Sequence, residues 1–165
     1  MTSFTDTATL IQTAKLIAVP LPLILSGYSF SSSQNSVPHL YDQKAEITAP
    51  VFKKIYYGGA SVMVPGGILS LTATTYLAYA VPSERYTWAT AAGSLLAFSL
   101  WTPVVMLPST INRLLEISGS SKLQEKASAN LEARQLLTKW VTQNYVRAAL
   151  LFVAGVAGLR ATIAA

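Results

Sequence analysis

Seven polar side chains stand at the ends of long apolar runs in this chain: Gln34, Asn35, His39, Asn112, Arg113, Asn144 and Arg147. Polar groups at membrane depth are expensive and usually face inward. The chemistry open to this set is hydrogen bonding from two guanidiniums and four amide side chains, with proton exchange at the chain's only imidazole. Asn144 and Arg147 are three apart, so on a helix they share a face. Each residue also has a plainer reading. Arg147, about two turns beyond Trp140, is within reach of headgroups by snorkelling. Arg113 suits a helix C-terminus and lipid phosphates, Asn144 could simply link helices, and His39 follows Pro38 at a helix end, where an interfacial histidine is ordinary.

The elements that must position these groups are four apolar stretches, about Leu16–Asn35, Tyr57–Ala80, Trp88–Ser109 and Trp140–Ile163. At about 1.5 Å rise per residue, roughly 20 residues cross the ~30 Å hydrocarbon layer. Backbone in lipid must satisfy its own hydrogen bonds, which makes these stretches helices. The composition agrees, with 52% hydrophobic and only 12% charged residues, against about 25% charged in a soluble domain. The expected fold is therefore all-α: a four-transmembrane-helix bundle forming one integral-membrane domain over residues 1–165. A polar lead-in over residues 1–15 is expected to hold a short interfacial helix from Thr7 to Lys15. No basic region precedes the first apolar run, so no cleavable signal is expected. The first loop is expected over 36–56. A second, over 114–139, should be a helical extension running on into the fourth span, from the Leu123/Ala127/Leu131 spacing and a weak capping box at Ser121 and Gln124.

Lysines and arginines crowd into the first and third loops, while the loop between the second and third spans carries only Arg85. The positive-inside rule then places loops 1 and 3 in the cytosol, and the polar ends of the first, third and fourth spans on that same side. Small residues, among them Ala154, Gly155 and Gly158 and the glycines of the second span, should serve close helix packing. Pro20, Pro22, Pro65, Pro103 and Pro108 should bend their helices.

Several chemistries find no support. The chain has no cysteine, one histidine and seven carboxylates. His39 and Asp42 supply only two ligands, so no metal site is expected. The serine run at Ser29 and Ser31–Ser33 has no acyl-transfer elbow, and its hydroxyls can bond back to helix carbonyls. No phosphate loop is present. The net charge of +5 reads as membrane orientation, not as nucleic-acid binding.

Two segments carry a resemblance: LPSTINRLLEIS (Leu107–Ser118) and WVTQNYVRAALLFVAGVAGLRA (Trp140–Ala161). Together with the serine-rich end of the first span, SGYSFSSSQNSVPHL, they resemble the anthrone oxygenase family, small tetraspan proteins of fungal polyketide clusters that also occur in bacteria. The matching positions are Pro108, Asn112, Arg113, Trp140, Asn144 and Arg147. The resemblance implies a cofactor-independent oxygenase that converts an anthrone to an anthraquinone with O2. Its partners would be a small hydrophobic aromatic substrate, O2 and the lipid bilayer, with a homo-oligomer open, and its home the endoplasmic reticulum membrane if the source is a fungus. In that account His39 is the base and Arg147 and Arg113 hold an oxyanion. Asn112 and Asn144 orient substrate oxygens, Trp140 and Tyr145 stack on the rings, and Gln34 and Asn35 complete the site.

Two other readings compete. One is a cofactor-free cyclase or rearrangement enzyme on the same scaffold, which would not need oxygen. The other is a non-enzymatic tetraspan scaffold or hydrophobic-metabolite carrier, favoured if the arginines point to headgroups with no cavity between helices.

Overall fold

A computed structural model describes residues 6–164; residues 1–5, part of the polar lead-in, lie outside the described residues. All the regular structure among them is helical. The elements are α1 (Thr7–Ala18), α2 (Pro20–Ser31), a π-helical turn (Ser32–Ser36), a 3-10 turn (Val37–Leu40), α3 (Ala45–Ala80), a 3-10 turn (Pro82–Glu84), α4 (Arg85–Trp101), a π segment (Thr102–Ile111), α5 (Asn112–Ser118), α6 (Ser121–Ala129) and α7 (Glu132–Ala164). Four helical stretches are long and apolar enough to cross a membrane: Thr7–Leu40, Ala45–Ala80, Pro82–Ser118 and Glu132–Ala164.

Each stretch overruns the apolar run that announces it. A 36-residue helix such as α3 is roughly 54 Å long, well beyond the hydrocarbon layer. The surplus absorbs most of the loops expected from hydropathy. The first loop shrinks to residues 41–44 because helix continues through the polar stretch that precedes Tyr57. Ser128 starts that helix. Its Oγ accepts from the Ala45 N–H at 2.8 Å and donates to Glu46 Oε2 at 3.0 Å, satisfying a first-turn donor that α3 itself cannot. The short helix expected over Thr7–Lys15 is α1, which begins at Thr7 as read but runs past Lys15 to Ala18, within the first membrane-crossing stretch. Pro20 then opens α2, as a residue without an N–H can.

The second extension departs from expectation at its end. Ser120, not Ser121, caps α6, accepting from Leu123 N–H. The helix does not run on into α7. Leu131 takes a left-handed φ of 58°, a conformation that crowds Cβ against the carbonyl, and the Asn130 side chain accepts from Glu132 N–H at 3.0 Å to start α7.

Pro65 lies within the unbroken α3, whereas Pro103 and Pro108 coincide with a change of winding. Pro108 lies inside the ten-residue π segment, whose last bond joins Asn112 N–H to the Leu107 carbonyl five residues back. The wider winding suits a proline that cannot donate and whose ring would clash with the carbonyl four residues earlier in an α-helix. The serine-rich π turn at Ser32–Ser36 closes in the same way, from Val37 N–H to the Ser32 carbonyl.

Packing resolves into two compact units. Among the described residues, one comprises 6–26, 64–99 and 149–164. Its core gathers Ala14, Ala18, Ala73, Leu77, Trp88 and Ala161. Small residues on α7 carry this packing. A Cβ on Gly155 would stand 2.5 Å from the Leu23 side chain, and one on Gly158 would meet the Trp88 ring at 3.1 Å and the Ala18 carbonyl at 3.4 Å. Gly66 and Gly67 press on Leu25 and Phe98 in the same manner, whereas Gly58 and Gly93 face open space and play no part in close packing. We therefore expect Gly155→Val to cost about 1–3 kcal/mol by overpacking and Gly93→Ala to cost nothing, as read from thermal unfolding in detergent. Equal melting temperatures for the two variants would contradict this packing.

The other unit comprises residues 27–63 and 100–148. Its core is Val37, Phe52, Met106, Ile111, Leu114, Leu137, Trp140 and Val141, with a neighbouring alanine-rich cluster of Ala45, Ala49, Ile117, Ala127 and Ala133. Nine of the twelve lysines and arginines belong to it, and so do all seven polar residues singled out above.

Candidate functional site

The site in this second unit begins with two adjacent carboxamides on α7. Neighbouring residues on a helix point about 100° apart, so Gln143 and Asn144 reach different partners. Gln143 Nε2 donates to Ser109 Oγ at 2.7 Å, its Oε1 accepts from Thr110 Oγ1 at 3.0 Å, and its backbone carbonyl accepts from Trp101 Nε1 at 3.1 Å. It thereby ties α7 to the proline-containing π segment. Asn144 turns to the serine-rich end of α2 and its π turn. Its Nδ2 donates to the Ser29 carbonyl at 2.8 Å and to Ser33 Oγ at 2.9 Å. Its Oδ1 accepts from Ser29 Oγ at 3.0 Å and from Arg147 Nη1 at 3.1 Å.

Both amide protons and both lone-pair positions of Asn144 are thus engaged inside the protein, at 2% exposure. Asn144 has no hydrogen-bonding capacity left for a ligand. Its effect is to fix the Arg147 guanidinium, one helical turn along. Arg147 is half-buried, with the Tyr56 phenol in electrostatic range. A guanidinium oriented by a fully bonded amide is suited to hold an anionic oxygen.

The remaining expected site residues are placed elsewhere. Arg113 is engaged by acids: Nε and Nη2 fork onto Glu132 at 2.6 and 3.3 Å, and Nη1 meets Glu116 at 2.7 Å. That geometry pins α5 to the start of α7, a structural use of the cation. Asn112, Gln34, Asn35 and His39 are exposed. Among the described residues Asn35 bonds only to Ser31, at 3.4 Å, and no hydrogen bond joins His39 to Asn144. Trp140 is 4% exposed and meets Phe52 edge-on at 5.4 Å, so it is a core residue with no open ring face. Tyr145 is exposed and paired with Phe30, ring centroids 5.6 Å apart. Of the expected set, a hydrogen bond joins Asn144 to Arg147.

Sequence reasoning missed Ser29, Ser33, Gln143, Ser109 and Thr110. The serines were read as bonding back to their own helix, which Ser32 and Ser33 do. The signal that Ser29 and Ser33 do more is their spacing of four, which sets both on one face. For Gln143 the signal was its place beside Asn144 in an otherwise apolar span. Among the described residues no three His, Cys, Asp or Glu side chains gather as a metal ion would need.

An open cleft of about 440 Å³ also lies in this unit, with Tyr28, Ser31, Ser32 and Ser36 on one wall and Lys54, Ile55 and Gly58 on the other. Its walls are the opposite edges of α2 with its π turn and of α3. Outside the spans, burial pushes the Tyr41 phenol above its ordinary range, partly opposed by a hydrogen bond with Thr138; it packs against the core beside Leu40 and Tyr56.

Comparison with known proteins bears out the resemblance carried by the helix-end segments. A sequence model described as anthrone oxygenase matches residues 52–157. An anthrone oxygenase of Claviceps purpurea (strain 20.1) is 29% identical over 154 residues, covering 87% of this chain and 84% of that protein. No solved structure matches.

Proposed function

Because the chain belongs to the anthrone oxygenase family, we propose that it oxidises the acidic CH2 of a tricyclic aromatic ketone to a carbonyl with O2, without flavin or metal. Loss of the CH2 proton leaves a delocalised carbanion–phenolate, electron-rich enough to pass one electron to O2. The radical pair recombines into a C–O bond, and the resulting peroxide takes up a proton. Loss of water, with cleavage of the O–O bond and the remaining C–H bond, leaves the quinone carbonyl. The balance is CH2 + O2 → C=O + H2O.

The observation that carries this reading is Arg147, held at membrane depth by Asn144 at 3.1 Å. In this reading its guanidinium stabilises the oxyanion that grows as the proton leaves, an interaction strengthened by exclusion of water. Proton acceptance is assigned to His39, through solvent, since its ring is exposed. Lipid supports the reaction from outside, because both substrate and O2 partition into hydrocarbon. The basic segments of the second unit are assigned to the cytosolic side.

The test is oxygen stoichiometry. Membranes or nanodiscs holding the full chain are expected to take up one O2 per 1,8-dihydroxyanthrone consumed, above the spontaneous rate, and to stop under nitrogen. Turnover of the anthrone at an undiminished rate under nitrogen would turn the assignment toward a cyclase or rearrangement catalyst.

A further inference from the structure

We propose that the cleft between α2 with its π turn and α3 captures the aromatic substrate ahead of its reaction at Arg147, which is not among the cleft's lining residues, with Lys54 pairing to its phenolate or carbonyl oxygens. The proposal rests on the oxygenase reading and adds residues that the resemblance does not supply.

The chemistry of the walls points to an acceptor-rich ligand. Tyr28 and Ser36 each present a hydroxyl that makes no hydrogen bond among the described residues, and Ser31 Oγ only accepts, from Asn35. Ser32 has already given its proton to the Tyr28 carbonyl at 2.9 Å. The Lys54 ammonium is exposed and forms no ion pair among the described residues. Three hydroxyl protons and one cation therefore face a cleft with no carboxylate in its walls. A planar polyketide with neighbouring phenol and carbonyl oxygens supplies acceptors for those donors, and Ile55 with the Tyr28 ring supplies apolar surface for its rings. The volume, about 440 Å³, falls in the range of about 300–1,000 Å³ usual for small-molecule sites.

Gly58 makes the idea testable without damage to the fold. A Cβ added there meets nothing within 4 Å, so a larger side chain enters the cleft without pressing on the protein. Gly27 is equally unobstructed but is not in the cleft walls, and serves as the control. The experiment measures binding of 1,8-dihydroxyanthraquinone to the full chain in nanodiscs, together with KM for 1,8-dihydroxyanthrone. Gly58→Leu is expected to weaken quinone binding at least tenfold. Lys54→Met should weaken it about fivefold and raise KM with kcat within twofold. Lys54→Arg should restore most of the affinity, and Gly27→Leu should match the unaltered protein.

Quinone binding by Gly58→Leu within twofold of the unaltered protein would overturn the proposal. So would a Gly58→Leu variant that loses retained phosphatidylserine yet keeps quinone affinity, since a headgroup phosphate offers the same acceptors and the cleft would then be a lipid site. Loss of quinone binding in Gly58→Leu, with no oxygen-dependent turnover by the unaltered protein, would uphold the cleft and reject the oxygenase. Normal turnover with unchanged KM in both Gly58→Leu and Lys54→Met would do the reverse.

Discussion

Arg147→Met is expected to slow oxygen-dependent anthrone consumption about a hundredfold or more, while folded protein remains in the membrane at normal levels. Removing one donor from a growing oxyanion in a water-poor site costs about 10²–10³ in rate, equivalent to about 3–4 kcal/mol of barrier. Met matches the unbranched stem and fills the same space, so packing survives. Stability should fall by little more than the one bond to Asn144, about 0.6 kcal/mol, because a charge held at membrane depth is itself expensive. Arg147→Lys keeps the charge but loses the planar fork, and should fall between the two, about tenfold below the unaltered protein. The loss should appear in kcat, because the interaction forms as the negative charge develops. A methionine variant with more than half the normal kcat would remove Arg147 from the chemistry and leave it as a helix-packing cation.

The second large effect is structural, and its origin is Asn144. Asn144→Ala should destabilise the protein by about 2–4 kcal/mol. Hydrogen bonds inside membranes are worth about 0.6 kcal/mol on average and at most about 1.7, and this side chain makes four. For a chain of this size about 2–4 °C of melting temperature accompanies each kcal/mol, so a drop of roughly 5–15 °C is expected in detergent. Asn144→Asp separates the parts of the network. It keeps an acceptor for Arg147 and Ser29 Oγ but loses the donors to the Ser29 carbonyl and Ser33, and it turns a carboxylate toward that carbonyl. It should therefore remain destabilised even though it creates an ion pair. Activity should drop in both variants through misplacement of Arg147, with kcat falling more than KM rises. An alanine variant that melts within a degree of the unaltered protein would show that the four bonds are replaced by others at no cost.

The two effects have different logic although the residues lie one turn apart. Arg147 carries the charge that the proposed reaction assigns to the oxyanion, so its loss is read in rate. Asn144 is saturated by the protein, so its loss is read first in stability. The same distinction removes Arg113 from the candidate chemistry: Glu132 and Glu116 occupy its fork, and an already neutralised guanidinium has less to give an oxyanion. In Trp140, burial against Phe52 has the corresponding consequence for stacking.

Hydropathy alone specified an all-helical protein with four membrane-crossing stretches, because burying backbone in lipid leaves no alternative to helix and the apolar content of a span is a property of consecutive residues. The same local rule marked Asn144 and Arg147 as groups out of place, and their spacing of three put them on one face. The starts of α3 and α7 were not legible, because they are set by a distant partner, Ser128 on the start of α3, and by the left-handed Leu131 before α7. Nor was the division of the polar residues. Asn144 is bonded to Ser29 and Ser33, more than a hundred positions away, and Arg113 to Glu132 across an intervening helix. Which donor finds which acceptor is settled when helices pack at a given rotation, and no run of neighbouring residues carries that angle. Only the folded chain could separate an amide whose bonding capacity is filled from the guanidinium that it orients.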